Sequence, residues 1–137
     1  MSQPTPTVLV VDDETHIVHV VSLKLRNAGF QVLTAADGEE AYEIVCAEHP
    51  DVVITDFQMP YLTGLELCVA MRENPECAET PVLMLTARGH ALDESDVART
   101  NIKSVVSKPF SPREILGLVH ELLGQSQGDS DVRAEAA

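Results

Sequence analysis

The chain is poor in basic residues: nine lysines and arginines stand against 22 aspartates and glutamates, giving a formal net charge of -13 over 137 residues. Binding to nucleic acid or to an anionic membrane rests on Lys and Arg contacts to phosphate, so the shortage argues against both as direct partners. Proteins or small phosphorylated molecules are expected instead. Long apolar runs are missing too, and none approaches the roughly 18 residues that a membrane span needs. The opening MSQPTPT has neither the basic nor the hydrophobic region of a secretory leader, from which we expect a cytoplasmic protein. Cys46, Cys68 and Cys77 form an odd set without CxxC spacing, which argues against a zinc knuckle or a disulfide framework. Of the histidines only His16 and His19 fall at a ligand spacing, and no thiolate or carboxylate accompanies them on that face. No internal repeat is visible.

What is present is ordinary for a globular chain, with 45% hydrophobic and 23% charged residues. The length suits one domain with a single core. Strands and helices alternate strictly. Val8 to Val11 is continuously apolar and rich in β-branched valine, as a strand covered on both faces should be. From Glu14 to Ala28 the apolar positions Ile17, Val20, Val21 and Leu25 recur at helical spacing, and Gly29 follows as a stop. The same reading predicts a strand over Val32 to Ala35, a helix from Asp37 to Glu48 ended by Pro50, and a strand over Val52 to Thr55. It continues with a helix from Gly64 to Arg72, a strand introduced by Pro81, a weak helix near Ala91 to Arg99, a strand near Lys103 to Ser107, and a helix from Pro112 to Leu123. Such alternation means right-handed βαβ units and predicts a five-stranded doubly wound parallel α/β sheet of flavodoxin-like order 2-1-3-4-5. The domain is expected over residues 7–123. Residues 124–137 are polar and without apolar periodicity, and are expected to form an acidic flexible tail or the start of a linker.

Four of the apolar runs stop at chemically useful residues: VLVV at Asp12 and Asp13, VVIT at Asp56, VLML at Thr86, and SVVS at Lys108. In an open α/β sheet, ligands bind outside the carboxyl ends of the strands, so the parallel arrangement brings three acids, a hydroxyl and an ammonium to one edge. That is a site for a divalent cation and a phosphoryl group. Carboxylates roughly 5 Å apart repel by about 3 kcal/mol per pair at an effective dielectric near 20, so the pocket calls for a cation. Oxygen-only ligands favour Mg2+ over zinc or copper. Simpler roles exist for each residue alone: Asp12 or Asp13 as a helix cap, Asp56 as a turn opener before Pro60, Lys108 as a surface charge before Pro109, Thr86 as the end of a β-branched strand. Capping needs one acid at most, and the simpler roles do not account for the whole set.

The ordered set of Asp12-Asp13, Asp56 with Met59-Pro60 and Gly64 to Leu67, Thr86-Ala87, and Lys108-Pro109-Phe110 resembles the receiver domain of two-component response regulators, over about Thr7 to Leu123. The resemblance implies a phosphoacceptor that takes phosphate from a sensor histidine kinase or a phosphotransfer protein and switches its interactions with a downstream protein target. It implies Mg2+ held directly by Asp13, Asp56 and the backbone carbonyl of Gln58, with Asp12 acting through a water. Asp56 would attack the phosphorus of a phosphohistidine, Lys108 would neutralise charge on the phosphoryl oxygens, and the Thr86 hydroxyl and Ala87 backbone N–H would hold the product group. Such a domain is a signalling module that accepts a phosphoryl group on itself, with hydrolysis of its own acyl phosphate, rather than an enzyme acting on others. Gln58 and Arg88 flank the pocket.

Departures from the family pattern bear on output. Val105 stands where many receivers carry Tyr or Phe, so a rotating aromatic switch is absent, and ARTNIKSVV replaces the usual stretch into the fifth strand. No output domain is apparent after Leu123, which leads us to expect a stand-alone receiver or a receiver fragment of a larger regulator. A pseudo-receiver that only docks proteins stays open as the alternative. A flavin binder would need a phosphate-cradling Ser, Thr and Gly loop where Asp12 and Asp13 stand. A haloacid-dehalogenase-type phosphatase would need a second Asp where Gln58 stands.

Overall fold

The computed structural model describes residues 5–59, 62–87 and 92–124. Its elements alternate throughout: β1 (Thr7–Val11), α1 (Thr15–Asn27), β2 (Gln31–Ala35), α2 (Gly38–Glu48), β3 (Val52–Asp56), α3 (Gly64–Glu73), β4 (Val82–Thr86), α4 (Glu94–Ala98), β5 (Ile102–Ser107) and α5 (Pro112–Leu122). The five strands form one parallel sheet in the order β2-β1-β3-β4-β5. This is the doubly wound arrangement that the alternating pattern predicts, with every carboxyl end on the same edge.

Side chains alternate across a strand, so the sheet feeds two cores. Leu9, Val11, Val53 and Met84 face α2 and α3, where Ala41, Val45, Leu67 and Met71 close over them. Val8, Val10, Ile54, Leu83 and Leu85 face α1 and α5, where Val21, Leu25, Ile115 and Val119 lie. The buried pairs Val21/Leu25 and Ile115/Val119 are four residues apart, one helical turn, which is why a single stripe of each helix suffices. Leu9, Ile54 and Leu83 are fully buried, each contributing about 2–3 kcal/mol of hydrophobic transfer. The inner strands β3 and β4 are buried along their whole length, whereas β2 and β5 are not, as edge strands must be.

The helix starts follow local chemistry. Asp37 caps α2 by accepting from the Glu40 amide, Thr63 and Glu66 form a reciprocal capping box on α3, and Ser111 with Pro112 opens α5. Residue 49 ends α2 with His49 at φ 50, a left-handed C-terminal turn, and Gly29 does the same after α1 at φ 99.

Two boundaries differ from the expectation in ways that bear on the site. β3 runs one residue further than Thr55 and takes in Asp56, because the Phe57 amide still donates to the Leu85 carbonyl at 2.8 Å. α4 is short, Glu94–Ala98, and buries none of its residues, since Asp93 to Asp96 supply no apolar stripe. Pro60, Arg88 and Ala91, and all of the expected tail except Gly124, lie outside the described residues.

The pairing of β4 with β5 shifts register between Val82 and Leu83, so that Ile102 pairs with Val82 but Ser104 pairs with Leu83. The extra residue, Lys103, reverses the facing of everything after it. Val105 consequently pairs with Met84 on the α2/α3 side of the sheet, and is 43% exposed.

Candidate functional site

Each acid is presented by the end of an inner strand. Asp12 follows β1 directly, and its amide donates to the Ala35 carbonyl at 3.3 Å, extending the sheet by one more bond. Asp56 is the last residue of β3. Behind it the chain turns back so sharply that the Gly64 amide donates to the Phe57 carbonyl at 2.9 Å. A Cβ on Gly64 would collide with the Asp56 carbonyl, so this approach of α3 to the end of β3 requires glycine.

Oxygens of Asp12, Asp13 and Asp56 all lie within 4.8 Å of one another. Asp12 and Asp56 are buried and Asp13 is exposed, so the cluster opens to solvent on one side. Lys108 comes in from the end of β5, held there by the hydrogen bond that its backbone N–H donates to the Thr86 carbonyl at 2.8 Å. Its Nζ lies 3.1 Å from Asp56 Oδ1 and 3.3 Å from Asp12 Oδ2. A third contact reaches Glu14 Oε1 at 3.0 Å.

Burial dominates the electrostatics of the two inner acids. It pushes Asp12 up to about 6, assisted by the charge of Asp56 and opposed by the hydrogen bond from the Glu14 amide and by Lys108. Burial also raises Asp56, against the hydrogen bond and charge of Lys108. For Lys108 burial works against the charge, but Glu14, Asp12 and Asp56 together outweigh it and hold the ammonium above the ordinary lysine range. One ammonium thus faces four carboxylates. The excess negative charge and the all-oxygen donor set fit a hard divalent cation and do not fit zinc or copper.

The remaining sequence-predicted residues stand around this cluster without joining it. Thr86 is fully buried at the end of β4, and its hydroxyl donates to the Val106 carbonyl at 3.5 Å. Ala87 is exposed just beyond it, and Gln58 is exposed two residues after Asp56. Capping does not explain the acidic pair: α1 has Glu14 as N-cap with no side-chain cap bond, and Asp12 braces only the Glu14 amide, at 2.9 Å. His16 is exposed, as is His19, and stands outside the acidic cluster. It lines a cavity of about 570 Å3 together with Ile17, Val20, Lys108, Pro109 and Phe110, between α1 and the end of β5. The three cysteines are free thiols, and burial lifts Cys68 to about 12, which leaves it inert.

Sequence reasoning passed over Glu14, which it treated only as the start of a helix. The signal was available as a third consecutive acid at the end of β1, but nothing in one dimension says that Lys108 reaches it from a position 94 residues away.

Comparison with known proteins agrees with this geometry. The model of the response regulator receiver domain matches residues 8–120. The chain is 38% identical over 120 residues to the alkaline phosphatase synthesis transcriptional regulatory protein PhoP of Bacillus subtilis, covering 88% of this chain and 49% of that protein. It is 35% identical to the response regulator Rre1 of Synechocystis, covering 100% of this chain and 59% of that protein. The chain therefore spans about half the length of the curated relatives it matches. Among solved structures, the chemotaxis response regulator CheY4 of Vibrio cholerae superposes with a TM-score of 0.80 at 35% identity, covering 88% of this chain and 100% of that one. With a family model spanning most of its length and the acidic strand-end cluster on the matching fold, this chain belongs to the family of response regulator receiver domains.

Proposed function

We propose that the chain accepts a phosphoryl group on Asp56 from a phosphohistidine of a sensor histidine kinase or a phosphotransfer protein, and that the modified state changes its interactions with a downstream protein. The observation that carries this reading is the Lys108 ammonium 3.1 Å from Asp56 Oδ1 in a cluster of three carboxylates. Asp56 is the acid best suited to attack: it is buried at a strand end, faces the lysine, and has acidic neighbours on either side of the pocket. Its oxygen would bond to phosphorus while the phosphorus–nitrogen bond of the donor breaks, leaving an acyl phosphate and, with a proton already on the other ring nitrogen, a neutral histidine. Lys108 would neutralise charge on the transferred oxygens, and the Thr86 hydroxyl and Ala87 N–H would receive them afterwards.

Mg2+ fits the donor set, with Asp13, Asp56 and the Gln58 carbonyl as direct ligands and Asp12 acting through a water. When bound it supplies charge neutralisation that one lysine cannot provide among four acids. The apolar cavity between Ile17, Val20 and Phe110 adjoins Lys108, which supports seating of a protein donor directly beside Asp56. The net charge of -13 favours protein partners over nucleic acid or anionic lipid, and a cytoplasmic setting follows from a kinase-borne donor. Among the described residues no helix is long and apolar enough to cross a membrane. In this reading the chain is a self-modified switch, not a catalyst for other molecules.

Incubation with acetyl phosphate and Mg2+ tests the proposal by intact-mass spectrometry. One phosphoryl group is expected on the native chain and none on Asp56→Asn. Full modification of the Asn variant would overturn the assignment of the acceptor.

A further inference from the structure

The Lys108 ammonium has three N–H donors and no more. In this structure it has three carboxylate partners: Asp12 at 3.3 Å, Asp56 at 3.1 Å and Glu14 at 3.0 Å. Two of these contacts, to Asp12 and Glu14, are hydrogen bonds, so an arriving phosphoryl oxygen must compete with them for the donors of the ammonium. The partners differ in what release costs them. The side chain of Asp12 is 0% exposed, so its abandoned carboxylate would be left buried and short of a donor, while Asp56, 10% exposed, is the acceptor itself and faces the arriving group. Glu14 is 55% exposed, and water can take over its oxygens at once.

We propose that Glu14 is a positioning residue that holds Lys108 in the unmodified domain and yields it to the phosphoryl group. The inference rests on the phosphoacceptor reading of the same site, and adds to it a determinant of how fast the domain is modified. The Glu14–Lys108 contact exists before transfer and is lost during it, so it stabilises the starting state without stabilising the transition state, and slows the reaction. The Glu14 charge also stands at the open side of the pocket, where an anionic donor must enter, so its removal favours both capture and transfer.

The test compares native chain, Glu14→Gln and Glu79→Gln, the last removing one surface charge beside Arg72 on the far side of the domain. The readout is the second-order rate constant for acetyl phosphate at saturating Mg2+, at low and high salt. Glu14→Gln is expected to raise the rate about two- to fivefold at low salt, as suits a half-exposed ion pair, with the gain shrinking as salt rises. Glu79→Gln should leave the rate unchanged. An unaltered or lowered rate in Glu14→Gln, or an equal rise in Glu79→Gln, would overturn the role of Glu14. If the native chain took no phosphoryl group at all, the acceptor assignment itself would fail, an outcome readily told apart from the other two.

Discussion

Asp12 is the residue in which the cost of the site is most visible. Its carboxyl is fully buried beside a second acid, and its pKa rises to about 6, whereas in the unfolded chain it would ionise near 3.8. The folded state therefore binds a proton more tightly than the unfolded state between those two values. The sign follows: stability contributed by this group is greatest in acid and is lost as pH rises through about 6, so at neutral pH ionised Asp12 opposes the metal-free fold. Asp12→Asn should accordingly stabilise the metal-free domain at pH 7 more than at pH 5, measured by urea unfolding. Mg2+ requires the ionised form, so its affinity should be flat above about pH 7 and fall by up to tenfold per unit below about 6. A titration series by calorimetry showing pH-independent binding down to pH 4.5 would contradict this account of Asp12. Gly64 shows the opposite kind of constraint: it makes no chemistry, yet only a residue without a Cβ lets α3 begin against the carbonyl of Asp56.

Among the elements, β5 decides how a signal can leave the pocket. The added residue at Lys103 turns Val105 onto the α2/α3 side, half exposed, where its stiff χ1 and lack of a ring give it nothing to swing. Thr86 is different: its hydroxyl makes one long bond to Val106 and is free to exchange it for a phosphoryl oxygen. The next element after β4 is α4, which buries none of its residues and so is cheap to shift. Beryllofluoride with Mg2+ should perturb the amides of Thr86, Ala87 and 92–99 more than those of 105–110, and Thr86→Ala should suppress the response. An NMR shift map centred on β5 and indifferent to Thr86→Ala would refute this. The strands were legible in the sequence because parallel strands covered on both faces read as unbroken apolar runs, and their last residues named the site. Less was legible at the edges. The β5 bulge left no mark in the sequence, since a register shift depends on what β4 offers it. The short α4 was read too long, because propensity without an apolar stripe does not set a helix boundary. The Glu14 contact was hidden for a third reason, being a pairing between distant parts of the chain.

For the whole molecule, the site couples a local charge problem to global stability. Three carboxylates fixed at one sheet edge repel one another only while the fold is intact, so a cation bound there stabilises the native state by mass action. Raising Mg2+ to a hundred times its Kd should add about 2.7 kcal/mol, a rise in Tm on the order of 10 °C for a domain of this size. Asp13→Ala removes one carboxylate of the cluster and should weaken Mg2+ binding more than tenfold, removing about half of that rise or more while leaving the metal-free Tm equal or higher. Equal Mg2+ stabilisation of both proteins in a thermal scan would count against the pocket. The two cores lie on opposite faces of one sheet and share its inner strands, so this gain should be felt as a single cooperative transition. The Lys108 contact with Asp12 spans 96 residues, and that separation has a meaning for birth as well as for stability. On the ribosome all three acids emerge, and β1 to β4 can assemble, before the lysine that partly neutralises them has left the exit tunnel. Until β5 docks, the nascent sheet carries an unrelieved negative rim, which resists collapse by wrong partners of like charge and rewards the arrival of one strand that ends in a cation. The last strand is thereby favoured by the same charges that gather at the finished site.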